Sequence, residues 1–166
     1  MNKTSATMVA IMMAAILTGF FVTAKFAAAG ETGRDGRFIA YSNGTVLDTQ
    51  TNLMWAAKDN GSDTDWRNAK SYCNSYRGGG YTNWRLPRQD ELAGLYNENK
   101  SHPAKCNPEF SINVTTKLID ISCVDLWASE TRGSDSAIFS FTRSRRGWHP
   151  RLHDRGFRAL PVRFVK

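Results

Sequence analysis

The chain is expected to form one domain of the α+β class, and three observations carry that expectation. Short runs rich in β-branched and aromatic residues recur along it, parted by Gly, Asn and Pro turns. Two stretches, residues 64–77 and the segment after Pro87, instead repeat their apolar residues three and four apart, the helical period. No internal repeat, heptad or low-complexity tract breaks this order. Many short strands with two early helices suit a single layer-packed unit.

Residues 1–29 read as a leader rather than as part of the fold. Lys3 gives a positive start, residues 8–22 are almost uninterruptedly apolar, and Ala27 and Ala29 supply the A-x-A pattern of a signal peptidase site. The expected mature chain begins at Gly30. A run of about fifteen apolar residues falls short of the ~20 that span a bilayer, so no integral membrane span is expected after cleavage. No Cys follows the run to take a lipid anchor. Taking these 29 residues from 166 leaves 137, a common size for one domain. The whole chain carries 22 Lys and Arg against 15 Asp and Glu, a formal +7. The excess is local, because residues 143–166 hold eight basic side chains against the single acid Asp154.

The elements follow in order. Residues 30–37 are Gly-rich and charged, without periodicity, and are expected to be a loose lead-in. Residues 37–42 and 45–48 read as strands about the Asn43-Gly44 turn signal, and Leu53-Met54-Trp55 as the next strand. After a polar loop, Asp63 or Thr64 can cap a helix whose Trp66, Ala69, Tyr72, Cys73 and Tyr76 share one face, and Gly78-Gly79-Gly80 stops it. Trp84 to Pro87 reads as a short buried strand, since the residue before a proline avoids helix. A second helix follows with Leu92, Leu95 and Tyr96 as its apolar face. Residues 102–121 read as irregular, and residues 124–129, 137–141 and 156–165 as closing strands. Trp55, Trp84 and Trp127 each lie within an apolar triplet and are expected in the core, while Arg85 is expected to pair with a carboxylate such as Glu91.

Quoted in order, the segments D-T-Q-T-N-L-M-W, W-R-N-A-K-S-Y-C, G-Y-T-N-W-R-L-P-R-Q-D-E-L, D-L-W-A-S and V-R-F-V run across nearly all of residues 38–165. This order resembles the Lcl C-terminal-like domain family of bacterial secreted and surface proteins. The resemblance implies a domain over residues 38–166, a C-type-lectin-like fold, and a secreted or periplasmic location. It also implies adhesion to glycosaminoglycan-like polymers and assembly into a homo-oligomer, although no collagen-like tract is present here to enforce a trimer. Relatives usually carry Gly where this chain has Asn52, the commonest non-Gly residue at positive φ. They often carry Ser or Thr where it has Arg88, so the second helix must take its cap from Asp90 or water.

Three cysteines in an exported chain imply one disulfide and one thiol. Cys106 and Cys123 bracket a polar loop and are the favoured pair; a bridge from Cys73 to either is the alternative. Relatives end in V-R-C-V. If that cysteine partners the Y-C cysteine, Phe164 here leaves Cys73 reduced in the core.

Catalytic signatures are missing: there is no G-x-S-x-G elbow, no H-E-x-x-H, and no Cys beside a His. His149 and His153 stand four apart, but Pro150 between them argues against a metal-binding helix and for histidines on a basic loop. The loop of residues 59–63 offers oxygens yet lacks the closing Glu of a calcium-binding EF-hand, and no E-P-N or Q-P-D lectin motif is present. No cofactor or metal is expected. The functional reach lies in R-S-R-R-G-W-H-P-R-L-H-D-R, where Arg143, Arg145, Arg146, Trp148, His149, Arg151 and Arg155 are candidate ligands for an anionic polysaccharide. The plain alternative is a solvated basic loop. Nucleic acid would suit the charge but is not an expected partner of an exported chain. The leading expectation is therefore a non-enzymatic binding module. Its rivals are an enzyme or accessory on the fold of formylglycine-generating enzymes, or an envelope scaffold without a glycan ligand.

Overall fold

The computed structural model describes residues 29–165; nearly all of the expected leader, and with it the expected cleavage signal, lies outside the described residues. Among the described residues, eleven strands and two short α-helices form two sheets and a separate hairpin, an α+β arrangement that is mostly antiparallel. The first sheet has the order β1-β2-β3-β4-β11: Glu31–Asp35, Phe38–Tyr41, Thr45–Asp48, Leu53–Ala56 and Val162–Phe164. Residues 30–37 are thus not a loose lead-in. Arg34 and Asp35 face Ile39 and Phe38, so cross-strand pairing supplies what the local sequence does not encode. Between β2 and β3 the loop holds three residues, with Gly44 at φ 77 taking the left-handed position that closes such a loop. Asn52 sits at φ 55, as its turn requires.

The second sheet has the order β10-β7-β8-β9: Phe157–Arg158, Asp125–Arg132, Asp135–Ser140 and Arg145–Pro150. Only β10 runs parallel to its neighbour. Strand alternation gives this sheet two apolar faces. Leu126, Ala128, Ala137 and Phe139 join Val46, Trp55 and Leu160 in the larger core cluster. Trp127 and Ile138 meet Trp66, Ala69 and Cys73 in a smaller one under α1, Trp66–Ser75. The β-hairpin of β5, Tyr96–Pro103, and β6, Ser111–Val114, occupies part of the segment read as irregular, and its Ile112 and Val114 add to the larger core.

Both helices are shorter than their apolar patterns suggest. Asp65 caps α1, its carboxylate accepting from Asn68 N–H at 2.8 Å, one residue beyond the expected cap. The second helix, α2, spans only Gln89–Ala93; Tyr96 belongs to β5. Its start is held by Glu91, which accepts from Arg88 N–H at 2.7 Å, and by Glu130, which accepts from Gln89 N–H at 3.1 Å. Asp90, one of the two expected caps, does not serve here. The W-R-L-P segment is no full strand: Arg85 forms a single bridge with Val162. Trp84 and Leu86 are nevertheless buried, and Arg85 makes the expected pair with Glu91 at 2.7 Å.

Cys106 and Cys123 form a disulfide that staples the loop after β5 to the entry of β7. Cys73 is a buried thiol in the smaller cluster, and burial pushes its pKa far above the usual thiol range.

Candidate basic lip on the β9 edge

The centre of the basic segment, Arg145–Pro150, is a strand rather than a loop, with Arg143, Arg151 and Arg155 in the turns beside it. β9 is one of the two outer strands of the second sheet, and charged side chains on such an edge discourage another sheet from pairing with it. Its period of two also divides the candidates. Arg146 and Trp148 face one side, opposite Phe139 and Ala137, while Arg145 and His149 face the other, opposite Ser140 and Ser136.

Four of these residues are engaged within the fold. Trp148 packs against the larger core, and the Arg132 guanidinium lies 4.6 Å from its ring centroid, which leaves little of the indole for a ligand. His149 stacks near Phe157 at 5.0 Å and near His153 at 5.5 Å, with Phe157 forming the common wall. The i, i+4 spacing of the two histidines therefore arises from a strand end and a turn. Among the described residues no group of three or more His, Cys, Asp or Glu is arranged to hold a metal. Arg151 donates to the carbonyls of Gly133 and Ser134, and its guanidinium lies 5.7 Å from the Trp66 ring centroid. Arg146 donates to Asp90 at 2.6 Å, though both side chains remain more than half exposed.

Arg143, Arg145 and Arg155 are exposed and form no ion pair or side-chain hydrogen bond among the described residues. Arg143, Arg145 and Arg146 come together with Ser144 around a depression of about 440 Å³ floored by Ala93 and Phe139. Ser144 holds φ at 50, a left-handed conformation that side chains other than Gly seldom adopt, so the turn itself places the two unpaired arginines on either side of it. Arg155 and Arg151 line no part of this depression. Asp90, read in the sequence only as a helix-dipole partner, is the acid that fixes Arg146, and no local pattern signals that contact across 56 residues.

Other basic side chains of the same segment hold the fold together. Arg158 is buried and donates to Asp63 and to Ser122 Oγ at 3.1 Å, while Ser122 also donates to the buried Asp59 at 2.9 Å. Arg163 donates to Asn83 at 2.7 Å and lies 3.9 Å from the Tyr81 ring centroid.

Fold and lip together define a small disulfide-stapled α+β domain that presents arginines from a strand edge. The family model for the Lcl C-terminal domain matches residues 44–163, and the chain belongs to that family. No curated protein matches the chain. A domain of this family with a disulfide fits an extracellular or envelope protein. No helix among the described residues is long and apolar enough to cross a membrane.

Proposed function

We propose that this chain is an exported, non-enzymatic binding module that takes an anionic or sulfated polysaccharide at the Arg143–Ser144–Arg145–Arg146 lip. The observation that carries this reading is that Arg143 and Arg145 are exposed beside a depression, without an ion pair or side-chain hydrogen bond among the described residues. A guanidinium presents a planar fork matched to sulfate and carboxylate. The lining of the depression contains no carboxylate, histidine or thiol that could act as acid, base or nucleophile. Cys73, the only free thiol among the described residues, is buried and held protonated, which disfavours the thiol chemistry of the enzymatic alternative. This reading takes the fold as C-type-lectin-like, supported by the closing strand β11 returning to the sheet of the opening strands. It places the protein outside the cytoplasm, in the secreted or periplasmic space, where its disulfide persists.

Heparin is the test polymer. Its affinity for the chain should fall steeply as salt rises, since bound arginines displace condensed counterions. The Arg143→Ala, Arg145→Ala double variant should bind roughly tenfold more weakly and show a flatter salt slope, equivalent to losing about 1.4 kcal/mol of exposed charge-assisted contacts. Undiminished binding by the double variant would return the lip to the status of a solvated turn.

A further inference from the structure

The first two residues of α2 reach two successive residues of β9. The Gln89 side-chain amide donates to the carbonyls of Gly147 and Ile138 at 3.0 and 2.8 Å, and the Asp90 carboxylate accepts from Arg146 at 2.6 Å. The residues on either side of Asp90 are tied down as well: Gln89 N–H donates to Glu130 at 3.1 Å, and Arg85 donates to Glu91 at 2.7 Å. The Asp90 carboxylate has Arg146 as its one partner among the described residues.

This pair does little for the fold. The side chains are 55% exposed at Arg146 and 73% at Asp90, and an ion pair so well hydrated contributes little to stability. The start of α2 is held without it, by Glu91 and Glu130. Its position matters more than its strength. Arg146 lines the same depression as Arg143 and Arg145, and Asp90 does not line it. One guanidinium of the lip therefore already carries a carboxylate, the same group that an acidic sugar would bring to it.

We infer that Asp90 is an internal competitor for Arg146, closing that guanidinium to sparsely charged polymers and yielding it to densely charged ones. The inference rests on the lip reading above and deepens it. A ligand carboxylate that takes the place of Asp90 trades one carboxylate–guanidinium pair for another, so the exchange itself gains nothing. The internal carboxylate also has the advantage of its tether, because a group held on the same chain acts at a high effective concentration. Once displaced, it stays beside the lip as a like charge that repels the ligand. A sparsely charged polymer is left with Arg143 and Arg145. A densely charged one occupies those two and still holds a further anion next to Arg146, at a local concentration that offsets the tether.

The test compares heparin, dense in sulfates and carboxylates, with hyaluronan, which carries one carboxylate per disaccharide. Both are titrated against the full chain, Asp90→Asn, Arg146→Ala and the double variant of these two. The readout is the ratio of the two affinities in each sample, which a partly unfolded fraction would not alter. The parent should bind hyaluronan roughly tenfold or more below heparin. Asp90→Asn should raise hyaluronan affinity about fivefold and heparin affinity about twofold, so that the preference narrows. On the Arg146→Ala background the same substitution should leave the ratio unchanged. Equal binding of both polymers by the parent overturns the inference, as does a ratio that Asp90→Asn leaves unmoved or widens. An equal narrowing without Arg146 overturns it too, by assigning the effect to net charge. The lip reading fails on a separate result: heparin bound by Arg143→Ala, Arg145→Ala as tightly as by the parent.

Discussion

Arg158 and Arg145 come from one basic stretch, yet the fold treats them in opposite ways. Arg158, on β10, is buried with Asp63 and Ser122 as partners, and through Ser122 it ties the loop before α1 to the disulfide region. Arg145, on β9, is exposed with no partner among the described residues. Both strands are outer strands of the second sheet, so the difference lies in what covers them: Asp63 and Ser122 lie against Arg158, which is desolvated and therefore paired, whereas Arg145 stays exposed, keeps its hydration and remains free to exchange it for a ligand. Of the basic side chains counted together in the sequence, Arg151, Arg158 and Arg163 are structural, and Arg143 and Arg145 are available.

That division can be broken by substitution, and the largest effect is expected at Arg158. Arg158→Met should lower the unfolding free energy by about 2–3 kcal/mol, less than a fully buried pair because Asp63 is half exposed. Denaturant unfolding measures it; a change below about 0.5 kcal/mol would mean that the buried guanidinium does not hold the loop. Arg163→Met comes next, at about 1–2 kcal/mol, for loss of the Asn83 hydrogen bond and the contact with the Tyr81 ring.

A pH series sharpens the same contrast. Hydrogen bonding to Arg158 holds the Asp63 carboxyl below its ordinary range. Its contribution is then present above the unfolded value of about 3.9 and is lost as pH falls through the lower folded value. Asp63→Asn should destabilise the domain at neutral pH, and its deficit relative to the parent should shrink as both are unfolded at successively lower pH. A deficit that does not change with pH would assign the loss to packing instead. The smallest effect belongs to the edge: Arg143→Ser with Arg145→Ser should leave the unfolding free energy within about 0.5 kcal/mol of the parent. A larger loss would show that these arginines are also built into the fold.

What could be read from the sequence was whatever depends on local pattern. The burial of Trp55, Trp84 and Trp127, the turn at Asn52, the Arg85–Glu91 pair and the Cys106–Cys123 bridge all follow from a residue and its near neighbours. Features imposed by distant partners were hidden. β1 has no periodicity and exists because β2 offers it a ladder; β9 looks like a charged loop until β8 pairs with it. The short α2 ends where the chain is drawn into the β5–β6 hairpin, so Leu95 and Tyr96 leave the helix their spacing suggested. The lip was legible as charge but not as geometry, because alternation along a strand separates neighbours that a loop would have kept together.

β11 supplies the final consequence. It pairs Val162 with Trp55 and Phe164 with Leu53, and Val162 also bridges Arg85. The first sheet is therefore incomplete until residues 162–164 pair with residues more than a hundred positions before them. Closing so long a loop costs entropy before any contact repays it, which places folding of such a topology on the slower side, of order milliseconds to seconds.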